Sequence, residues 1–191
     1  MARREKFRAS GFTLIELMVT LSVLAILAVL AAPSFSDFID RYRLRGAVDD
    51  AVSLISNARA EAVKNDRDVS IAFGGTTADW CVGANAAVAP TGGNPAAGAV
   101  ACDCTSVASC QVGGQSLAVP QGSHSGVTVN SVATSFVFSS KLGVISPLGS
   151  ANATFTSPTA RYDLRLNVNA LGQAGVCVPS GKPAIAGVSP C

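Results

Sequence analysis

From Leu17 to Ala32 the chain carries no charge: Leu-Met-Val-Thr-Leu-Ser-Val-Leu-Ala-Ile-Leu-Ala-Val-Leu-Ala-Ala. Residues 17–36 make twenty positions, which at helical rise span roughly 30 Å, the thickness of one hydrocarbon core. Arg3, Arg4, Lys6 and Arg8 precede the run, and Val29-Leu30-Ala31 would pass as a small-residue cleavage site. A cleaved signal peptide and a plain transmembrane anchor are therefore both open. Glu16 stands at the start of the run and separates these readings from a third. A carboxylate at the centre of a bilayer costs on the order of 2.5–3.5 kcal/mol on insertion scales and is usually functional.

The third reading rests on the residues around Glu16. Gly11-Phe12-Thr13-Leu14-Ile15-Glu16-Leu17 after a basic leader resembles the prepilin signature of type IV pilins and type II secretion pseudopilins. The resemblance implies that a prepilin peptidase cuts after Gly11 on the cytoplasmic side and that the new first residue, Phe12, is N-methylated. It implies further that Glu16 pairs with the N-terminal amine of a neighbouring subunit during assembly, a partner that a buried carboxylate requires. The basic leader would stay inside by the positive-inside rule, and Gly11 would leave the scissile bond open. The implied site is bacterial inner membrane, single-pass with the head in the periplasm, and then a filament at the cell surface. The implied partners are other minor pilins, the major pilin, the prepilin peptidase and the inner-membrane assembly platform.

Composition divides along the same lines. The net charge is +2, but the first eleven residues alone contribute +3. Without that leader ten basic groups face eleven acidic ones. From Asp68 onward four acids (Asp68, Asp79, Asp103, Asp163) balance four bases (Lys141, Arg161, Arg165, Lys182), a balance that predicts no strongly basic nucleic-acid surface. The organisation expected is a cleaved leader over 1–11, a transmembrane and assembly helix over 12–35, an amphipathic stem helix over 36–67, and an exported, disulfide-bonded β-rich head over 68–191.

Pro33 interrupts the apolar run; inside a helix it removes one hydrogen bond and kinks the axis. After it, Phe35, Phe38, Ile39, Tyr42, Val48, Ala51, Val52, Ile55, Ala58 and Ala62 recur at three- and four-residue spacing, with charges between them. One face can then pack on a sheet while the other is solvated. Gly46 is the weak point, costing about 1 kcal/mol relative to Ala. The charged cluster Asp37 to Arg45 reads either as contacts between subunits or as a solvated face. Ala58-Arg59-Ala60-Glu61-Ala62, followed by a polar turn and an apolar strand to Phe73, resembles the GspH/FimT group of minor pilins and pseudopilins, including its FimU-like members.

Alternation predicts strands with Val69, Ile71 and Phe73 on one face, then Val127 with Val129, Phe136 with Phe138, and Tyr162, Leu164, Leu166 and Val168. Turns are expected at Gly74-Gly75, Gly113-Gly114, Gly122 to Gly126, Pro147-Leu148-Gly149 and Leu171-Gly172. The fold class expected is α+β: the pilin fold, a long N-terminal helix packed on an antiparallel sheet. Residues 84–101 are low in complexity and read as an exposed loop.

Six cysteines all follow residue 80: Cys81, Cys102, Cys104, Cys110, Cys177 and Cys191. An even number beyond a membrane-type segment reads as disulfides formed outside the cytosol. Cys177 and Cys191 bracket a Pro- and Gly-rich terminal segment and are expected to pair, pinning an end that would otherwise fray. Three pairings are open to the other four; the expected one is Cys81–Cys102 with Cys104–Cys110. Some minor pilins of the group carry a similar Trp-Cys and Cys-Asp-Cys pattern, which implies a bridged loop without fixing its pairing. Zinc is disfavoured by the lack of a Cys-x-x-Cys pair and by a single histidine, His124, in a Gly/Ser loop that reads as solvated. Asp163 and Arg165, on the outward face of one strand, read as a surface ion pair. No cofactor motif, Ser/His/Asp set or phosphate loop is present, so an enzyme is not expected.

The function implied is structural: a minor pilin in a complex that initiates or caps a type IV pilus. Two alternatives stand beside it. Some FimT-type pilins bind DNA through a Gly-Arg-x-Arg loop, but the matching place here, Gly172-Gln173-Ala174-Gly175, lacks both arginines, and phosphate contacts require cations. The other is a subunit of a type II secretion pseudopilus.

Overall fold

A computed structural model describes residues 12–87, 100–131, 135–146 and 148–191, with side chains left out at 31–34, 107 and 131. The leader with Gly11, residues 88–99 of the low-complexity stretch, and Pro147 lie outside the described residues. The chain divides into two compact units, the first ending at Ile39 and the second running from Asp40 to Cys191.

Helix α1 covers Leu14–Lys64, slightly shorter at both ends than the sequence pattern. It ends where Asp66 takes a left-handed conformation at φ 49°, and Arg67 N–H donates to Ala62 O at 3.1 Å. That is the closure by which a helix satisfies its last carbonyls. Pro33 falls within α1, at a position whose side chain is not described.

In the second unit α1 buries Leu44, Ala47, Val48, Ala51, Leu54, Ile55, Ala58 and Ala62, a stripe at three- and four-residue spacing. Four of these are alanines, which lets the helix backbone approach the sheets closely. Phe35, Phe38 and Tyr42, expected on the buried face, are instead exposed, and the stripe opens at Leu44.

Among the described residues the head has two larger antiparallel sheets rather than one. In the five-stranded sheet the order is β5-β2-β1-β7-β8: Ala118–Pro120, Trp80–Ala86, Val69–Gly75, Ser135–Phe138 and Ile145–Ser146. In the four-stranded sheet the order is β11-β10-β9-β6: Ala174–Cys177, Asp163–Val168, Ala151–Thr156 and Thr128–Ser131. A small hairpin, β3 (Gln111–Val112) with β4 (Gln115–Ser116), turns at Gly113-Gly114, both at positive φ as a two-residue hairpin requires.

The sheets share a core with the helix. Trp80 of β2 meets Phe155 of β9 edge to face at 5.4 Å, and its indole N–H donates to Val127 O at 2.9 Å. A buried indole needs that acceptor. Tyr162, Leu164, Leu166 and Val168 point inward as their alternation predicts. The low-complexity reading of 84–101 fails at its start: Ala84 to Ala86 continue β2, and Ala84 is fully buried opposite Ile71.

The candidate assembly segment and the disulfide-bonded head

The N-terminal segment begins with a cap. Thr13 precedes α1, and Glu16 N–H donates to its Oγ1 at 3.3 Å while Leu17 N–H donates to Thr13 O at 3.2 Å. Thr13-Leu14-Ile15-Glu16 has the spacing of a capping box, Thr at the cap and Glu three residues on. Within the prepilin-like motif, Thr13 and Glu16 thus also start the helix, a role the sequence reading passed over although the spacing was visible. A carboxylate in the first turn is further favoured by the helix dipole.

From Leu14 to Leu30 every Leu, Ile, Val and Met side chain is exposed. Two hydroxyls in that stretch bond back to the helix, Thr20 to Leu17 O at 2.9 Å and Ser22 to Met18 O at 2.8 Å. These polar groups are therefore satisfied internally, the condition for residence in an apolar medium. Glu16 is the one charged residue between Leu14 and Leu30; it and Phe12 are exposed. Among the described residues no single helix is long and apolar enough to cross a membrane. Leu14–Leu30 passes by length and composition only together with the helical stretch from Phe35 to Lys64.

Three disulfides close the head: Cys81–Cys104, Cys102–Cys110 and Cys177–Cys191. The expected pairing of Cys81 with Cys102 and Cys104 with Cys110 is overturned. The cause is the loop between them. Ser109 Oγ donates to Asp103 O at 2.6 Å and Ser106 N–H to the same oxygen at 3.0 Å. The neck of the loop is therefore at 103 and 109, which brings their flanking residues, Cys102 and Cys110, face to face. Cys104 is left to reach Cys81 on β2.

Two glycines make room for these bridges. A β-carbon at Gly83 would stand 2.5 Å from Cys110 Sγ, 2.8 Å from Cys104 Cβ and 2.9 Å from Cys102 Sγ; one at Gly74 would stand 2.8 Å from Cys104 Sγ. The loop is fixed at Asp103, whose carboxylate accepts from Thr105 Oγ1 and from Thr105 N–H at 3.1 Å. Those bonds hold its carboxyl below the ordinary value.

Two other sequence readings change. His124 is not solvated. Its ring lies parallel to Trp80 at 6.2 Å, its Nε2 is 2.9 Å from Asp50 Oδ2 on α1, and a β-carbon added at Gly46 would stand 3.6 Å from it. The 3-10 turn Gln121–Ser123 folds it back over the indole. Asp163 pairs with Lys182 at 3.1 Å, a residue nineteen positions away by sequence number that the strand pattern could not suggest. Arg59, of the Ala-Arg-x-Glu-Ala motif, donates from Nε to Gly143 O at 2.8 Å. Gly172, first residue of the segment matching the DNA-binding loop, closes the turn before β11 at φ 75°. Among the described residues no cluster of metal-ligating side chains is present.

An apolar N-terminal helix opened by one carboxylate and followed by a disulfide-bonded helix-and-sheet head is the build of a pilin, and residues 6–32 match the prokaryotic N-terminal methylation motif. The family described as type II transport protein GspH matches residues 47–172, more than half of the chain, and the chain belongs to that family. Among solved structures it is similar to the type IV minor pilin FimU of Pseudomonas aeruginosa in two crystal forms. The first is 15% identical over 73% of this chain and 91% of that chain, with a TM-score of 0.48. The second is 14% identical over 69% and 90%, with a TM-score of 0.46. No curated protein sequence matches.

Proposed function

We propose that this pilin is a structural minor subunit that joins other minor pilins in a complex initiating or capping a type IV pilus. The observation that carries the reading is the segment Leu14–Leu30: exposed apolar side chains throughout, hydroxyls satisfied within the helix, and one carboxylate at its first turn. Such a surface needs a bilayer before assembly and other apolar helices after it. The peptidase cuts between Gly11 and Phe12, Phe12 is N-methylated, and the segment holds the protein in the inner membrane with its head in the periplasm. Glu16 then pairs with the amine of a neighbour as the helix leaves the lipid, and Pro33 supplies a kink or a point of melting. The major pilin and the assembly platform complete the partners.

The experiment is a Glu16→Ala variant followed through three stages. Membrane insertion and a mature chain starting at N-methyl Phe12 by mass spectrometry are expected to persist, while incorporation into filaments falls at least tenfold. Filaments containing normal amounts of the variant would remove the assembly role of Glu16. A mature start near Ala32 would mean an ordinary signal peptide.

A second reading is favoured by the family's own description, which names type II transport. In that case the same stem and head belong to a secretion pseudopilus. Deleting the gene separates the two: lost piliation with secretion intact supports the pilus, and retained exoproteins with normal pili support the pseudopilus.

A further inference from the structure

The C-terminal segment is a strap. From β11 the chain runs out through Val178, and Cys191 returns to it: Val178 N–H donates to Ser189 O and Cys191 N–H to Val178 O, each at 2.9 Å. The strap follows the outward face of β10. At one end Asn167 donates to Cys177 Sγ at 3.2 Å. At the other Lys182 Nζ meets Asp163 Oδ2 at 3.1 Å and Ala160 O at 3.2 Å. Arg45 of α1 donates to Ala186 O, and Val178 and Ile185 are the buried apolar anchors.

Beside these ties two polar atoms are enclosed without a hydrogen-bond partner, Asp163 Oδ1 and Arg165 Nε, on the same outward face of β10. Enclosing such atoms is unfavourable and is relieved when water reaches them. Two such atoms work against closure, and the covalent link between Cys177 and Cys191 joins the two ends of the strap beside its other ties. That link also holds the most exposed of the six cysteines, Cys191. Cys191 is exposed and Cys177 half-buried; in the other two bridges Cys102 is half-buried, and Cys81, Cys104 and Cys110 are at most 3% exposed and lie close to Gly74 and Gly83. Exchange requires a thiolate to reach a sulfur, so access orders the reactions.

We propose that Cys177–Cys191 is a reducible latch, opened by a dithiol ahead of the other two disulfides, whose opening releases residues 178–191 from β10. A thiolate of the dithiol attacks Cys191 Sγ and Cys177 leaves as thiolate. The second thiol of the reagent then displaces Cys191 and closes a cyclic disulfide. Two electrons and two protons pass from the dithiol to the protein, leaving Cys177 and Cys191 as thiols. Latched and unlatched heads present different faces to whatever packs beside β10.

The test uses the full chain in detergent micelles, treated with a dithiothreitol series under native conditions, alkylated with iodoacetamide and mapped by peptide mass spectrometry. Cys177 and Cys191 are expected to label at tenfold or lower reductant than Cys81, Cys102, Cys104 and Cys110. In that window the amides of Val178, Val188 and Cys191 are expected to lose at least tenfold of their hydrogen-exchange protection, with β1 and β2 unchanged. Opening of another disulfide first, or of all three together, overturns the proposal; so does undiminished strap protection after Cys177 and Cys191 are alkylated. The Cys177→Ser/Cys191→Ser double variant should show the unlatched exchange pattern without reductant, and a closed strap in a folded double variant would overturn the latch. Should that variant not fold, the titration of the native protein still decides.

Discussion

Replacing Gly83 by alanine tests the account of the disulfide cluster at its tightest point. The new methyl would stand 2.5 Å from Cys110 Sγ, 2.8 Å from Cys104 Cβ and 2.9 Å from Cys102 Sγ. None of these is the free end of a flexible side chain; each belongs to a cross-linked loop. Overpacking alone costs about 1–3 kcal/mol. If the sulfurs move apart instead, a native disulfide is lost, which costs about 2–5 kcal/mol in a small exported domain. The expected destabilisation is thus about 3 kcal/mol or more. At about 2–4 °C per kcal/mol for a chain of this size, the melting temperature falls by about 6–12 °C. The assay is thermal unfolding followed by circular dichroism, with non-reducing peptide mapping of the folded material, which should show scrambled or unpaired thiols among Cys81, Cys102, Cys104 and Cys110. Gly175→Ala is the control: that β-carbon meets nothing within 4 Å, and a change within about 0.5 kcal/mol is expected. A Gly83→Ala protein with native pairing and unchanged melting would refute the packing argument.

Three further outcomes follow. Gly46→Ala places a methyl 3.6 Å from the His124 ring, an ordinary contact, so the helix gain of about 1 kcal/mol should appear as a higher denaturation midpoint; a lower one would mean that the His124 packing is tighter than described. Arg59→Ala leaves Gly143 O without its donor and should cost about 1–3 kcal/mol by urea unfolding; Arg59→Lys, lacking the planar fork, should recover little of it. Asp103 is held below its ordinary 3.8 by Thr105, and Glu61 below its ordinary 4.5 by Lys64 and then Asn65. A depressed folded-state value gives stability that is present above the unfolded value and lost as pH falls through the folded one. Melting temperature should therefore fall on acidification below about pH 4, and less so in Asp103→Asn; a rise in that window would contradict the sign.

Legibility in the sequence tracked how strongly each contact is local. The helix from Leu14 to Lys64, the strand carrying Leu164 and Leu166, and the hairpin turn at Gly113-Gly114 all rest on short-range periodicity or turn chemistry. β9 was not seen because its inward residues, Ala151, Ala153 and Phe155, alternate with Asn and Thr and include two alanines, weak strand formers. β2 was lost partly for the same reason, its Ala84 to Ala86 merging into a run of small residues. The cysteine pairing failed because it is decided by a neck at Asp103 and Ser109, hydrogen-bonded across six residues. His124 looked solvated because its neighbours in sequence are Gly and Ser, whereas its neighbours in space are Trp80 and Asp50. The N-terminal methylation motif was legible in the sequence, yet the bond from Glu16 N–H to Thr13 shows that one residue can serve helix initiation in the folded chain alongside the role proposed for it between chains.

The Arg59 contact bears on the cooperativity of the head. Its guanidinium bonds the turn between β7 and β8, in the five-stranded sheet, while Gly172 of the turn between β10 and β11, in the four-stranded sheet, comes so close that a β-carbon there would stand 2.9 Å from Arg59 Nε. Three elements that meet nowhere in sequence, 84 residues apart at their first bond, are registered at one point. The placement of each sheet is thus tied at this point to the last turns of α1 and to the other sheet. Long-range closure of this kind slows folding, and together with the core that both sheets share with α1 it couples the loss of one sheet to the loss of the other. The head should therefore exchange its deepest amides in both sheets through a single opening, a coupling to which one arginine and one glycine add beyond the shared core.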